Sequence, residues 1–258
     1  MDNHANDTSA TLAGRVYRAL QREITTGTIR PGERLVRREI ARRLGVSPIP
    51  VIEALLRLEQ DGLVESKPNC GARVKEWTLE TVENECMLRE AIECQVARLV
   101  AESVSDRDFD GLEAAARRLD GLMQRADPTS TIGMELHMEF HLRVAQMAAF
   151  PLLLQQLRGA WVRRLMQVNW LNATIEPVPA DWHQALVAVL RRRDADAAER
   201  AMREHVRYGA NSLRLALARL QTAPETVQAQ AATDSRQAGR PPKPAKGEIL
   251  TSASGSGA

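Results

Sequence analysis

Four of the five histidines in this 258-residue chain fall at spacings that suit metal ligation. His137 and His141 are i and i+4, one above the other on a single helix face. That is a standard way to offer two imidazoles to one ion. Met134 and Val144 share the face, so it points inward. His183 lies 11 residues before Asp194 and His205 lies 11 after it, and Asp194 marks the turn between the last two helical stretches. At about 1.5 Å rise per residue both sit at the same height above the turn and can face each other across an antiparallel pair. His183 shares its face with Leu186, Val187 and Leu190, and His205 shares its face with Ala198, Ala201 and Tyr208. A lone histidine is more often an ordinary core or surface residue, but four at matched spacing argue for a metal site. Imidazole donors suit a divalent transition metal, Zn first and then Ni, Fe or Cu, over Mg or Ca. His4 stands outside the pattern.

A second group of residues suits polyanion chemistry. Arg34, Arg37, Arg38, Arg42 and Arg43 crowd the approach to a helix that begins Ser47-Pro48-Ile49-Pro50-Val51-Ile52. Charge runs are usually solvated faces, but this one coincides with turn signals that place a helix beside it. The net charge of +2 hides an asymmetry. Residues 1–75 hold 13 Lys/Arg against 9 Asp/Glu, residues 76–222 hold 18 against 21, and residues 223–258 hold 4 against 3. A basic head on an acidic body implies that only the head meets an anionic partner.

Both groups need elements to hold them. In the head, Leu12, Val16, Leu20 and Ile24 recur every fourth residue, one face of a helix, which Gly27 stops. Pro31-Gly32 makes a turn. Leu35–Leu44 reads as a second helix ending at Gly45. A third starts at Ser47, a good N-cap, with Pro48 at the first helical position, and runs to Asp61-Gly62. Leu63–Ser66 and Ala72–Lys75 flank a Pro/Asn/Gly loop and read as a β-hairpin. Helix, helix, turn, helix, hairpin is the order of a winged helix-turn-helix. The body reads as about six helices near 78–103, 106–125, 130–149, 151–171, 180–192 and 195–220. The fold class is therefore mainly α: an N-terminal winged helix-turn-helix (11–76) and a C-terminal antiparallel all-α bundle (78–220). A disordered N-terminus (1–10) and a disordered tail (221–258) rich in Ala, Pro, Gly, Ser and Gln flank them.

Composition agrees. Aromatics make up only 3% of the chain, few for a β-sandwich or barrel of this size. No apolar run is long enough to span a membrane and the polar first ten residues are no secretory signal. Three cysteines, Cys70, Cys86 and Cys94, without metal-type spacing read as free thiols of a cytoplasmic protein.

The head carries a resemblance. Pro31-Gly32-Glu33-Arg34-Leu35, Glu39-Ile40-Ala41, Leu44-Gly45-Val46-Ser47, Pro50-Val51, Glu53-Ala54-Leu55, Leu58-Glu59 and Gly62-Leu63-Val64 resemble the DNA-binding domain of GntR-family bacterial transcription regulators. Asn69-Cys70-Gly71-Ala72-Arg73-Val74 resembles the family's wing. The resemblance implies double-stranded operator DNA as partner, contacted through Arg34, Arg38, Arg42, Ser47, Pro48, Ile49, Ile52 and Asn69. Pro48 and Ile52 stand where the family usually has arginines, which removes bidentate contacts to guanine and shifts readout toward apolar contact with thymine methyls.

The body, about 80–220, is similar to the FCD effector domain of the FadR-like subfamily. There a D-x-x-F-H-type stretch and two later histidines bind a metal, and an effector carboxylate often completes the shell. Here His137 replaces the aspartate, Phe140-His141 match, and His183 and His205 match the later pair, an all-imidazole set. Arg89 matches an arginine that pairs with the effector carboxylate; the competing reading is an intrahelical pair with Glu93. Asn169 and Asn172 are candidate pocket residues. The expected protein is a homodimer that senses a small carboxylate, a repressor relieved by its effector, with no membrane partner. An enzyme is the competing class. But His137-x-Glu139-x-His141 is not H-E-x-x-H, and Glu139 points away from both imidazoles around the helix. A protein-interaction module whose head has lost DNA binding is the third class.

Overall fold

The computed structural model describes residues 11–67, 71–125, 131–171 and 178–222. Asn69, Cys70, Asn172 and the expected disordered ends, 1–10 and 223 onward, lie outside the described residues.

Helix α1 (Leu12–Thr25) begins where Thr11 Oγ1 accepts the Gly14 amide at 3.0 Å, satisfying one of the four unpaired amides of a first turn. Its expected apolar face, Val16, Leu20 and Ile24, is buried. The next element corrects the sequence reading. Leu35 does not open a helix; Arg34–Leu35 form a short strand, β1, and α2 spans Arg37–Leu44. Pairing Leu35 with Ala72 of the hairpin buries it, which a helical position would not achieve. Gly45 ends α2 in the left-handed region at φ 64°, a conformation a Cβ would strain. Helix α3 (Pro48–Gln60) follows with Pro48 in its first turn. Strands β2 (Val64–Lys67) and β3 (Gly71–Val74) complete a three-stranded antiparallel sheet in the order β1-β3-β2, with Val64 opposite Val74 and Glu65 opposite Arg73.

The body contains α4 (Leu79–Ser103), α5 (Asp106–Arg125), α6 (Thr131–Met147), α7 (Pro151–Leu171), α8 (Trp182–Leu190) and α9 (Ala195–Thr222). These are the six expected helices, with α9 running two residues into the stretch read as tail. Asp194 Oδ1 accepts the Ala197 amide at 2.9 Å and starts α9, so the turn falls where the histidine spacing requires it. Helix α4 packs along α9, and α5 packs against α8 and α6.

Head and body share one hydrophobic core, from Leu20, Ile24 and Leu58 through Phe109, Leu157 and Trp161 to Leu190 and Met202. Helix α7 joins the two, packing against α1. Asn169 Nδ2 donates to the Thr25 carbonyl at the end of α1. Arg163 Nη1 donates to the Asp61 carbonyl, just past α3, at 3.0 Å, while its Nε holds Glu85 of α4 at 2.8 Å. Asn169, a candidate pocket residue in the sequence, thus also ties α7 to the head.

Candidate metal centre and nucleic-acid interface

The four histidines come together. His137 and His141 project from α6, His183 from α8 and His205 from α9, all buried, and each offers a ring nitrogen within 4.8 Å of the others'. The His137 and His141 Nε2 atoms are 3.0 Å apart. His183 and His205 face each other with ring centroids 5.0 Å apart, as the count from Asp194 implied. Tyr208 departs from expectation: it is substantially exposed and meets Trp182 only edge-on, at 5.5 Å.

Two carboxylates orient the rings. His141 Nδ1 lies 2.5 Å from Glu93 Oε2, and His183 Nδ1 lies 2.6 Å from Asp120 Oδ1. Asp120 also accepts the backbone amides of His183 and Gln184, each at 3.0 Å, and the Gln184 side-chain amide at 3.1 Å. A carboxylate on Nδ1 turns Nε2 inward and raises its basicity, as ligating histidines require. The Nε2 atoms of His183 and His205 and Nδ1 of His137 are buried without a hydrogen-bond partner, a state that calls for an explanation such as an ion.

The electrostatics favour neutral, ligand-ready rings at His137, His183 and His205. Burial first, then the other imidazoles and Arg89, push the His137 and His205 pKa values well below the ordinary histidine value. Burial also lowers His183 despite the bond to Asp120. For Asp120, burial acts to raise the pKa, but the bonds from His183 and Gln184 prevail and lower it. For Glu93 burial likewise opposes ionisation; His141 and Arg89 overcome it and hold the carboxyl at about 2. The residues present thus fit a divalent transition metal: four imidazoles, two of them backed by carboxylates.

Aromatic rings wall the site. Trp161 lies 5.0 Å from His137 and 4.9 Å from His141, and Trp182 stacks on His205 at 3.8 Å. Arg89 sits 4.0 Å over the Trp161 ring, with Nε and Nη2 on Glu93 Oε1 at 2.9 and 2.8 Å. The intrahelical pair does form, but buried beside the histidines, so it positions Glu93 as well as neutralising Arg89. Glu139 is exposed and stands with Arg118 and Arg143 along a surface hollow, away from the imidazoles.

Sequence reasoning missed Glu93 and Asp120 as orienting groups. Asp120 carried a signal: an acid beside Leu119 on a stripe that continues through Leu112, Ala116 and Met123, all buried. Trp161 and Trp182 were not singled out in the sequence.

In the head, Arg34 on β1 and Arg38 and Arg42 on α2 are exposed. Arg43 is held by Glu23 at 2.5 and 2.7 Å, so that member of the cationic cluster is already neutralised. Ser47 has N-cap backbone geometry but makes no side-chain cap bond, and it is exposed with Pro48. Ile49 is 66% and Ile52 36% exposed; large apolar side chains facing solvent at the start of α3 suit the thymine-methyl contacts expected of them. Leu56, 54% exposed, lies one turn beyond Ile52 and was not singled out in the sequence.

Comparison with known proteins matches this layout. A family model described as bacterial regulatory proteins, gntR family, matches residues 12–74, and one described as the FCD domain matches residues 86–208. The HTH-type transcriptional repressor RspR of Escherichia coli (strain K12) is 30% identical over 201 residues, 77% of this chain and 87% of that protein. The HTH-type transcriptional regulator McbR of the same organism is 24% identical over 197 residues, 75% of this chain and 88% of that protein. Among solved structures, E. coli McbR/YncC superposes with a TM-score of 0.66 at 23% identity, covering 79% of this chain and 97% of that one. A putative transcriptional regulator GntR from Rhodococcus sp. RHA1 gives 0.62 at 19% identity, over 78% and 96% of the two chains; at these identities both show the fold alone.

Proposed function

Because the chain belongs to the GntR family of bacterial regulatory proteins, as a DNA-binding transcription regulator with an FCD domain and not an enzyme, we propose that it is a metal-dependent sensor of a small carboxylate and represses its target genes. The observation that carries the sensing half is the buried four-histidine cluster with Glu93 and Asp120 behind it. His137, His141, His183 and His205 would hold a divalent metal, Zn first, which when bound supplies a Lewis-acidic centre for an oxygen ligand. Charge supports an anionic effector. The four formal charges buried in this interior, Arg89, Arg164, Glu93 and Asp120, cancel, and an all-imidazole shell adds none. A divalent ion would then leave the core positive until an anion enters. Arg89, although paired to Glu93, lies close enough to the imidazoles to depress the pKa of His137 and His205, so its field also favours an anion beside the metal.

The route to DNA runs through α7. One side of this helix puts Trp161 against His137 and His141; Arg163 and Asn169 grip the ends of α3 and α1. An effector that prefers one setting of α7 would shift the heads and change DNA affinity by the difference in its own affinities for the two settings. A homodimer would place two α3 helices in successive major grooves of a two-fold operator, with Arg34, Arg38 and Arg42 on phosphates and Ile49 and Ile52 on base edges; Asn69 would extend the wing's contacts and Asn172 the effector pocket. A DNA partner supports action in the cytoplasm, and the likeness to RspR supports repression.

Thermal-shift screening of metals and then carboxylates, followed by gel-shift on the DNA flanking the protein's own gene, tests the reading. Stabilisation by a metal and by an acid, and release of DNA by that acid, are expected. No metal effect and no DNA binding would overturn it.

A further inference from the structure

Helix α7 carries a row of buried hydrogen-bond donors that the four-histidine centre does not use. Arg164 is 5% exposed and Gln167 1% exposed, one helical turn apart on the same helix. Arg164 Nη2 donates to the Gly209 carbonyl of α9. Its Nη1 has no hydrogen-bond partner, nor has Gln167 Nε2 or, one turn earlier, Trp161 Nε1. No carboxylate of the described residues forms an ion pair with Arg164, whereas Arg89, the other buried arginine, is paired to Glu93. The unmatched groups on α7 are thus all N–H donors, and one of them is a guanidinium.

A buried guanidinium with no carboxylate in direct contact is costly, and orphaned buried donors of one polarity call for an acceptor. Burial, followed by the charge of Arg89, pulls the Arg164 pKa down to about 10, which still leaves it charged at neutral pH. Position adds direction. Trp161, which touches His137 and His141, precedes Arg164 by three residues. Gly209, which receives the Arg164 bond, follows His205 by four. Arg164 therefore stands about one helical turn, ~5 Å, beyond the imidazoles.

We propose that Arg164 and Gln167 form a carboxylate-binding subsite, with Arg164 rather than Arg89 as the cation that takes the effector's acid group. The inference rests on the sensor reading above and names its ligand as a short organic acid: the carboxylate between Arg164 Nη1 and Gln167 Nε2, the remainder directed toward the histidines. Arg89, saturated by Glu93, orients His141 through that carboxylate.

The test uses acetate as probe, because a carboxylate subsite binds the simplest carboxylate weakly. The full chain, zinc-loaded and metal-free, is melted in sodium acetate and in sodium chloride at equal ionic strength and pH, and binding of 13C-acetate is followed by line broadening. Wild type is expected to melt several degrees higher in acetate in both forms. Arg164→Met should lose that difference and the broadening while retaining zinc as wild type does; Gln167→Leu should weaken acetate binding by about tenfold or more, the loss of one hydrogen bond to a charged group. Equal melting of wild type in the two salts, or an acetate response preserved in Arg164→Met, overturns the subsite. If Arg164→Met does not fold, Gln167→Leu decides: an undiminished acetate response overturns it. Zinc retention is scored separately, so a failed metal centre is told apart from a failed anion subsite.

Discussion

Asp120→Asn is the sharpest single probe of how the histidine centre is supported. The carboxylate is 2% exposed and accepts four bonds: the His183 amide, the His183 Nδ1–H, and the backbone and side-chain amides of Gln184. Asparagine keeps the shape and one acceptor oxygen, so both His183 bonds can survive on it. Its Nδ2 must then face the Gln184 backbone N–H, donor against donor. The Gln184 side chain can turn its oxygen to meet Nδ2, but the backbone amide cannot turn. One buried donor is left unsatisfied, costing about 1–3 kcal/mol, and the charge that strengthened the remaining bonds is lost. A destabilisation of roughly 2–4 kcal/mol is expected, about 4–16 °C in Tm for a domain of this size. The second effect is on the metal: losing the carboxylate behind a ligating imidazole should weaken metal affinity about 10–100-fold. Melts of the metal-free protein read the first effect, and competition against a chromogenic chelator reads the second. A metal affinity within twofold of wild type, in a variant that has lost the expected stability, would refute the orienting role of Asp120.

Other consequences follow from the same geometry. His137, His183 and His205 have pKa values lowered by burial; below about pH 6.5 the unfolded chain takes up protons that the native rings refuse. Native stability without metal should therefore hold above pH 6.5 and fall below it, by up to ~1.4 kcal/mol per pH unit for each ring; a Tm that stays flat from neutral pH to about pH 5.5 would count against neutral buried histidines. Arg38→Ala should weaken operator binding and reduce the salt dependence of binding by about one counterion; undiminished affinity would remove Arg38 from the interface. Arg163→Ala cuts the link from α7 to Asp61 and Glu85, and should uncouple ligand from DNA, so that an acid still raises Tm but no longer shifts DNA affinity in gel-shift titrations.

The elements were legible because their signals are local. Periods of four residues, Ser47-Pro48 at a helix start and the prolines between body helices placed the nine helices of the described residues. The count from Asp194 even paired His183 with His205, because an antiparallel hairpin of regular helices leaves no freedom in height. Strand β1 escaped because Arg34–Leu35 is too short for a period; only its pairing with β3 defines it. Glu93 and Asp120 escaped for a different reason. Each acts across a helix packing that no sequence spacing encodes, with Asp120 on α5 meeting His183 on α8 and Glu93 on α4 meeting His141 on α6. The bond of Asn169 escaped on the same ground: its partner, Thr25, lies 144 residues away in the head.

X-ray absorption on the purified chain, saturated with zinc and desalted, tests the central claim most directly. The expected result is one retained equivalent in a shell of imidazole nitrogens at about 2.0–2.1 Å, without sulfur. A chain that retains no zinc, or a shell dominated by scatterers other than imidazole, would contradict a metal held by His137, His141, His183 and His205.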